Sequence, residues 1–379
     1  MIIKASLGIA SSFCLALFSH SAFCTTPSES DLTYGQWYGQ LGAHGLRRSL
    51  ANFSDLGELA NRTATYRISK QQQRIHLAQQ SALPGTPAPF TYESDFDGIV
   101  AQLGTMTAIT PQFGRHTALE GMVRRAVRDG DDLDVTSDHL DIGLVWQANI
   151  FSHRAGYFAL HGFYDKNRAD ILFVDGERVG DNIGARVQFG EVLGSTWAYS
   201  LKLERAKWQG DSESYRPSMS GPILVTQPVD YTRTYFNGDI IGRFSLDNFF
   251  IDNTRLRWRS GIYYLQNDYE DQINSLDQPV VEPFGATERL GFLRTGAHLS
   301  WVRGEQNQWN PFIELMYDYE FKNNMNDVID DPHNATIKLG LAWLPKRGYR
   351  YQFEVQRYQG FEGERARNNI TLTVLLDHF

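Results

Sequence analysis

Apolar and polar side chains alternate along much of this chain, most plainly in residues 254–265, TRLRWRSGIYYL. One parity of this segment carries large apolar side chains, including Leu256 and Trp258, and the other begins with arginines. Successive side chains of a β-strand point to opposite faces, so a period of two predicts a strand with one apolar face and one charged face.

The same alternation predicts further strands. They lie near residues 97–109, 116–128, 138–150, 155–165, 180–191, 196–208, 232–247, 254–267, 288–302, 310–321, 334–344, 349–358 and 368–379. A barrel with both ends of its chain in the periplasm has an even number of strands, so one more strand must precede residue 97. We prefer residues 32–45 for this strand over residues 63–80, which are poorer in apolar side chains. The total is about fourteen strands, with twelve as the alternative.

The length and flanks of these segments favour a membrane barrel over a soluble sheet. A tilted strand needs about 9–11 residues to cross a bilayer, and the segments are at least that long. Aromatic residues make up 13% of the chain, and many stand at segment ends, as interfacial belts require. Short connections alternate with long polar ones, which is typical of periplasmic turns and external loops. We therefore predict an all-β fold, a transmembrane antiparallel up-and-down β-barrel.

The first residues follow a different pattern. Residues 1–24 contain Lys4, an apolar stretch ending at Phe18 and small residues before Cys24. This is the layout of a cleaved secretory signal peptide. Both cysteines of the chain lie within it, so the mature protein has no disulfide. Beyond it no apolar run is long enough for a membrane helix, and the mean hydropathy is −0.39. We predict export to the outer membrane of a Gram-negative cell.

The rest of the chain divides into two parts. Residues 25–60 form an N-terminal segment that holds the preferred first strand. The apolar residues between Leu50 and Leu59 have helical spacing, so this part either plugs the lumen or belongs to an external loop. Residues 61–379 form the barrel.

Several stretches resemble the translocator barrel of autotransporters. YGQWYGQLGAHG is similar to the first strand of that domain, and YESDFDGIVAQLGTMTAI, with Gly98 and Gly104, is similar to the second. SDHLDIGLVWQANI followed by AGYFALHGFY resembles the next hairpin. The last strand ends on Phe379, which resembles the signal read by the barrel-assembly machinery. The resemblance implies a twelve-stranded barrel that moves or displays a polypeptide.

The charged faces of the strands provide the candidate pore-lining residues, because the interior of a membrane barrel is polar. These candidates are Lys202, Glu204, Arg233, Asp239, Arg243, Arg255, Arg257, Arg259, Arg294, His298, Glu314, Asp318 and Glu320. The arginines at 255, 257 and 259 would attract anions, and the acidic residues two strands along would create a transverse field. Alternatively, the same residues form interior salt bridges that fill the barrel and hold it rigid.

Other chemistries have weaker support in the sequence. His298 and Ser300 form an i, i+2 pair like that of the outer-membrane phospholipase, but they share the parity predicted to face the lumen. The acidic loops around Asp129 and Asp330 lack the spacing of an EF-hand. We predict no catalytic site, no metal and no cofactor. The net charge of −8 gives no reason to expect nucleic acid.

Three classes of function remain. The first is a pore for small polar or charged solutes, and the second is an autotransporter-type translocator or display barrel for a polypeptide. The third and weakest is a barrel enzyme that modifies envelope lipids. The predicted partners are outer-membrane lipid and lipopolysaccharide, the barrel-assembly machinery, and either small solutes or a polypeptide cargo.

Overall fold

The structure of the protein is a computed structural model. It describes residues 62–79, 90–108, 117–130, 133–147, 156–171, 176–193, 196–216, 221–246, 254–280, 286–301, 309–324, 332–346, 349–362 and 365–377. These residues all belong to one compact unit, Thr33–Phe379. Three predicted features lie outside the described residues: the signal peptide predicted at 1–24, residues 25–60 with the strand predicted at 32–45, and the terminal Phe379.

Fifteen strands account for nearly all of the described chain. They are β1 (Arg62–Gln79), β2 (Phe90–Ala108), β3 (Thr117–Gly130), β4 (Leu133–Gln147), β5 (Gly156–Ile171), β6 (Gly176–Leu193), β7 (Trp197–Arg216), β8 (Ile223–Pro228), β9 (Tyr231–Ser245), β10 (Thr254–Tyr269), β11 (Thr287–Trp301), β12 (Trp309–Asn323), β13 (His333–Lys346), β14 (Tyr349–Gly360) and β15 (Arg365–Asp377). Within these residues, no helix has the length and apolar character needed to cross a membrane.

Fourteen of these strands pair in a cycle. Strands β1 to β7 pair antiparallel in chain order, β7 pairs with β9, strands β9 to β15 continue in order, and β15 pairs with β1. The predicted count of fourteen is therefore confirmed against twelve. None of the fourteen strands therefore has a free edge. A barrel in lipid needs this complete pairing, because lipid cannot hydrogen-bond to unpaired backbone groups.

Two details differ from the prediction. The described strand that precedes β2 is β1, at the second of the two candidate positions, and its ladders with β2 and β15 explain why a segment poor in apolar residues forms a strand. In addition, residues 209–231 separate two of the predicted strands, 196–208 and 232–247, and were expected to form one of the long polar connections. The structure continues β7 to Arg216 and places the short β8 against Asp211–Arg216.

Burial along the strands is inverted relative to a soluble protein. Leu203, Leu315 and Leu339 on the outer face have 52%, 50% and 55% of their surface exposed. Glu314 and Lys338 on the inner face are only 3% exposed. Exposed leucine beside buried charge is the pattern of a membrane barrel, in which the outer face meets lipid.

Aromatic side chains mark the two edges of the apolar band. At the end with short turns, the ring of Trp197 packs on Phe244 and Trp258 at 5.6 and 5.8 Å, and Trp309 stacks on Trp343 at 5.4 Å. At the opposite end, four exposed aromatic side chains face outward: Tyr164, Tyr317, Tyr319 and Phe321. These belts lie where membrane–water interfaces place aromatic residues, and the long connections assign the second end to the cell exterior.

Candidate functional site in the barrel interior

The inward faces of the strands carry two groups of contacting charged side chains. The β3–β7 network consists of Glu120, His139, Asp141, His161, Asp165, Arg186, Lys202 and Glu204. The β9–β13 network consists of Asp239, Arg259, Tyr263, Arg294, His298, Glu314, Asp318 and Lys338. Together they define the polar interior of the barrel.

Arg259 and Asp239 form the first pair of the β9–β13 network. Arg259 on β10 donates from Nε and Nη2 to the two carboxylate oxygens of Asp239 on β9, at 2.7 and 2.5 Å. The hydroxyl of Tyr263 donates to the same carboxylate at 2.9 Å. Gly261 makes room for this arrangement, because a Cβ there would overlap Asp239 and lie 2.8 Å from the backbone oxygen of Gly238. The fork geometry gives a directional, charge-assisted pair.

Arg294 and Asp318 repeat the arrangement on the next two strands. Arg294 on β11 donates from Nε and Nη2 to Asp318 on β12, both at 2.6 Å. Its guanidinium lies 5.2 Å from the ring centres of both Tyr263 and Phe292, which stack on each other at 4.7 Å. The two arginine–carboxylate pairs are therefore linked through Tyr263.

Glu314 connects strands β11, β12 and β13 at the level of Arg257, whose register partner His298 contacts it. The Nζ of Lys338 on β13 lies 3.2 Å from one of its oxygens, and the Nδ1 of His298 on β11 lies 3.3 Å from the other. His298 also stacks on Phe312 at 5.0 Å. Because all of these side chains are buried, charged groups here need close partners to offset the loss of water.

Asp141 is the centre of the β3–β7 network. The Nδ1 of His161 lies 2.7 Å from one carboxylate oxygen, and Arg186 donates to the other. His139 lies 3.9 Å from Asp141 and bonds to Asp165, which also accepts from Asn182 at 2.9 Å. One carboxylate therefore interacts with three groups on β4, β5 and β6.

Glu204 extends this network to β7. It accepts from the Nε of Arg186 at 2.9 Å and lies 3.2 Å from the Nζ of Lys202. Lys202 also lies 4.6 Å above the ring of Tyr235 on β9. At the other end of the network, the Nε2 of His161 is 3.6 Å from Glu120 on β3. Acidic groups shared between cations are the main feature of this network.

Most of the predicted pore-lining residues belong to one of the two networks, and the others lie elsewhere on the strands. Arg257 is 4% exposed. Arg255 is exposed near the short turns and donates to Ser245 at 2.5 Å. Arg233 donates to Asn267 at 3.2 Å towards the external mouth, and Glu320 accepts from Asn323 at 2.9 Å. The side chain of Arg243 lies outside the described residues.

Sequence reasoning missed several members of the networks. His139, Asp141, His161 and Arg186 were not among the candidates, although each stands on the parity opposite exposed apolar residues such as Ile142 and Leu160. Lys338 was not a candidate either, although it stands on the parity opposite the exposed Ile337 and Leu339. The sequence signal that could have identified them is the same alternation of polar and apolar residues that identified Arg255, Arg257 and Arg259.

The His298–Ser300 pair faces the interior. Both side chains are buried, at 6% and 7% exposure. The outward, lipid-facing positions of the same strand, β11, are occupied by apolar residues such as Leu293. A pair in this orientation does not meet the acyl chains or head groups of the bilayer that surrounds the barrel.

Ordered external segments lie above the interior. Trp208 stacks on Tyr231 at 5.7 Å, and Tyr231 packs on Tyr269 at 5.0 Å. The hydroxyl of Tyr269 donates to Glu288 at 2.9 Å. Burial raises the pKa of Tyr269 above its usual range, and the bond to Glu288 raises it further. The loop after β10 joins β8 through a hydrogen bond from the Ser275 amide to the Thr226 carbonyl, at 2.9 Å.

Comparison with solved structures defines the class of protein. TodX, described as a monoaromatic hydrocarbon channel, aligns in a deletion mutant with 7% identity over 84% of this chain and 91% of that chain, at a TM-score of 0.53. A Pseudomonas aeruginosa FadL homologue aligns with 10% identity over 94% of this chain and 100% of that chain, at 0.52. The translocator domain of the autotransporter NalP from Neisseria meningitidis aligns with 10% identity over 83% and 88%, at 0.45.

The fold is therefore that of an outer-membrane β-barrel, which TodX and the FadL homologue share. The autotransporter translocators named from the sequence are among the structures to which this barrel is similar. No protein-family model and no curated protein matches the sequence. At such low identities the likeness defines the fold, and the function has to be argued from the residues.

Proposed function

We propose that the protein is an outer-membrane channel for small charged or polar solutes, narrowed by the two interior networks. The observation that supports this most directly is the buried, charged inner face, with Arg257, Arg259 and Glu314 each no more than 6% exposed. A barrel whose interior had only to be filled would be served as well by apolar side chains, because buried ion pairs add little net stability.

The size of the ring agrees with a narrow channel. Eight-stranded barrels are filled by their own side chains, whereas barrels of about 16–18 strands leave an aqueous pore. A fourteen-strand ring lies between these cases, so long side chains that reach inward set the open width. Because cations and carboxylates alternate around both networks, the channel should have weak ion selectivity.

Single-channel recording in planar bilayers tests this function. The protein should show steady, small conductance, and Arg257→Ser/Arg259→Ser should shift the reversal potential towards cation preference because two interior positive charges are lost. The matched control is Arg125→Ser/Arg357→Ser, which removes two positive charges from the exposed outer face. A silent barrel, or an equal shift in the control, would contradict the proposal.

A second candidate is a channel for apolar aromatic solutes. Besides the charges, the inward positions carry aromatic rings, including Phe163, Tyr263, Phe292 and Phe312, and TodX is described as a hydrocarbon channel. Proteoliposomes separate the two candidates: uptake of a monoaromatic hydrocarbon with no ion conductance would favour the second.

The N-terminal residues contribute two further proposals. Residues 1–24 are removed on export, which N-terminal sequencing of the protein purified from membranes tests. Residues 46–60 either plug the lumen or belong to an external loop, and a conductance that increases when they are deleted would favour the plug. A polypeptide cargo and contact with the barrel-assembly machinery through Phe379 stay predictions, which co-purification with tagged assembly components would examine.

A further inference from the structure

The two rims of the outer surface differ in charge. At the external end, the first polar outward residue beyond the apolar band is a cation on five described strands: Arg125 on β3, Lys166 on β5, Arg205 on β7, Arg289 on β11 and Arg357 on β14. It is an acid on β4, Asp138, and on β6, Asp181. Near the short turns the outward positions carry tryptophan, as at Trp146, Trp197 and Trp343. The external rim is therefore the one suited to anionic lipid.

Cations concentrate on β5–β7. In the strand register, Ile183 on β6 lies between Tyr164 on β5 and Lys207 on β7. Lys166 is the next outward residue of β5 beyond Tyr164, and Arg205 precedes Lys207 on the outward face of β7. Ile183 is 65% exposed, the highest value among the large apolar side chains of the outward band. We call Lys166, Ile183, Arg205 and Lys207 the rim patch.

The charges of the rim patch are incompletely neutralised. Arg205 is exposed, lies between Ala185 and Thr234 in the register, and forms no hydrogen bond or ion pair with a described side chain. Lys166 is also exposed and lies between Asp138 and Asp181 in the register, but it forms no hydrogen bond or ion pair with either. Lys207 lies 2.9 Å from Glu270, and this bond raises the pKa of Lys207, which stays positive. By contrast, Arg125 is paired with Asp138 at 3.8 Å, and Arg357 donates to Asn368 at 2.9 Å.

The dimensions of the rim patch suit a phosphorylated lipid. Arg205 and Lys207 are two residues apart on one strand, about 7 Å. Lys166 is two strands away, about 10 Å laterally, and lies about 7 Å beyond Lys207 along the strands, because its partner Asp181 pairs with Gln209. Long basic side chains can converge on one or two phosphates over such a distance, and each charged contact strengthens the hydrogen bonds made to phosphate oxygens. Leu203 precedes Arg205 on the outward face of β7, and Ile183 is level with Lys207, so both offer apolar surface to acyl chains beside the cations.

We propose that the rim patch is a specific binding site for the lipid A phosphates of lipopolysaccharide in the external leaflet. The exterior end of the barrel determines the lipid class, because the outward face of this rim contacts only that leaflet. The inference requires the orientation of the barrel but not its transport activity, so it stands or falls separately from the proposed channel.

Lipid A titration of the purified protein in detergent with EDTA tests the site. Native mass spectrometry gives the number of lipid molecules retained, and the lipid-induced rise in unfolding temperature gives the apparent affinity. Lys166→Ala/Arg205→Ala should weaken binding about tenfold or more, since each basic residue near an anionic lipid surface contributes on the order of 1 kcal/mol. Dephosphorylated lipid A should bind the original protein about as weakly as phosphorylated lipid A binds this variant.

The matched control is Arg125→Ala/Arg357→Ala, which removes two cations from the same rim at residues that have partners. It should change the affinity by less than about twofold, because diffuse attraction between exposed charges is weak and screened. Equal losses in the two variants, no loss in the rim-patch variant, or equal binding of dephosphorylated lipid A would each overturn the proposal. The heat-resistant gel mobility of both variants should match the original protein, which shows that the barrel is folded.

Discussion

Two parts of the barrel interior use carboxylates in different ways. In the β3–β7 network, Asp141 and Glu204 are shared, and Arg186 contacts both of them. In the β9–β13 network, Arg294 grips a single carboxylate, that of Asp318, with two hydrogen bonds of 2.6 Å. A shared arrangement tolerates the loss of one partner because each cation keeps another. An ion pair in which each group has a single charged partner does not tolerate such a loss, because the remaining group is then a buried charge without compensation.

Breaking the Arg294–Asp318 pair should have the largest effect on the free energy of unfolding. Asp318→Ala leaves the Arg294 guanidinium without its hydrogen-bonded carboxylate, and we expect a loss of about 3–5 kcal/mol in the free energy of unfolding. Urea unfolding in lipid vesicles, followed by tryptophan fluorescence, measures it. The double variant Arg294→Met/Asp318→Leu should recover most of the loss, because neither position then holds a charge. A double variant as unstable as the single one would show that packing, not the orphaned charge, is responsible.

Loss of a shared carboxylate should cost less. In Glu204→Ala, Arg186 keeps Asp141 and Lys202 keeps the ring of Tyr235 at 4.6 Å. We expect about 1–3 kcal/mol, the usual cost of incompletely paired buried polar groups. The same urea unfolding measurement applies, and a loss equal to or larger than that of Asp318→Ala would remove the distinction between the networks.

A glycine in each network sharpens the comparison. A Cβ at Gly261 meets both the Asp239 carboxylate and the backbone oxygen of Gly238, whereas the three atoms nearest to a Cβ at Gly143 all belong to the His161 ring. A side chain can turn away and backbone cannot, so Gly261→Ala should cost about 1–3 kcal/mol by overpacking. Gly143→Ala should cost less. Unfolding of both variants under identical conditions gives the order, and a reversed order would contradict the reasoning.

The smallest effect at neutral pH should come from a change in the aromatic cluster at the external end, which is formed by Trp208, Tyr231 and Tyr269. Tyr269→Phe removes one hydrogen bond, to Glu288, worth about 0.5–1.5 kcal/mol. The raised pKa of folded Tyr269 means that this residue's contribution is complete below the ordinary tyrosine pKa of about 10. It is lost as the pH rises further through the folded pKa. Between pH 8 and 11 the unfolding temperature should therefore fall more steeply for the original protein than for Tyr269→Phe. Parallel curves of unfolding temperature against pH would contradict this prediction.

The period of two in the sequence carried most of the fold. Alternation at Leu256, Arg257 and Trp258 is enough to say which side chains point outward, because a strand turns each successive side chain to the other face. The need for an even count then gave fourteen strands, which the pairings confirm. Of the two candidates for the strand before β2, the structure has the less preferred one, β1, because apolar content is a poor guide for a strand whose stability comes from its two neighbouring ladders.

By itself, then, the sequence determined the class of fold and the inward or outward direction of each strand residue, since both follow from local periodicity. Only the tertiary structure decided which cation meets which carboxylate. Arg259 turns back to Asp239 on β9, and Arg294 turns forward to Asp318 on β12. Those choices depend on strand register and on which neighbour's glycine leaves space, and both are set when the ring closes between residues far apart in the chain.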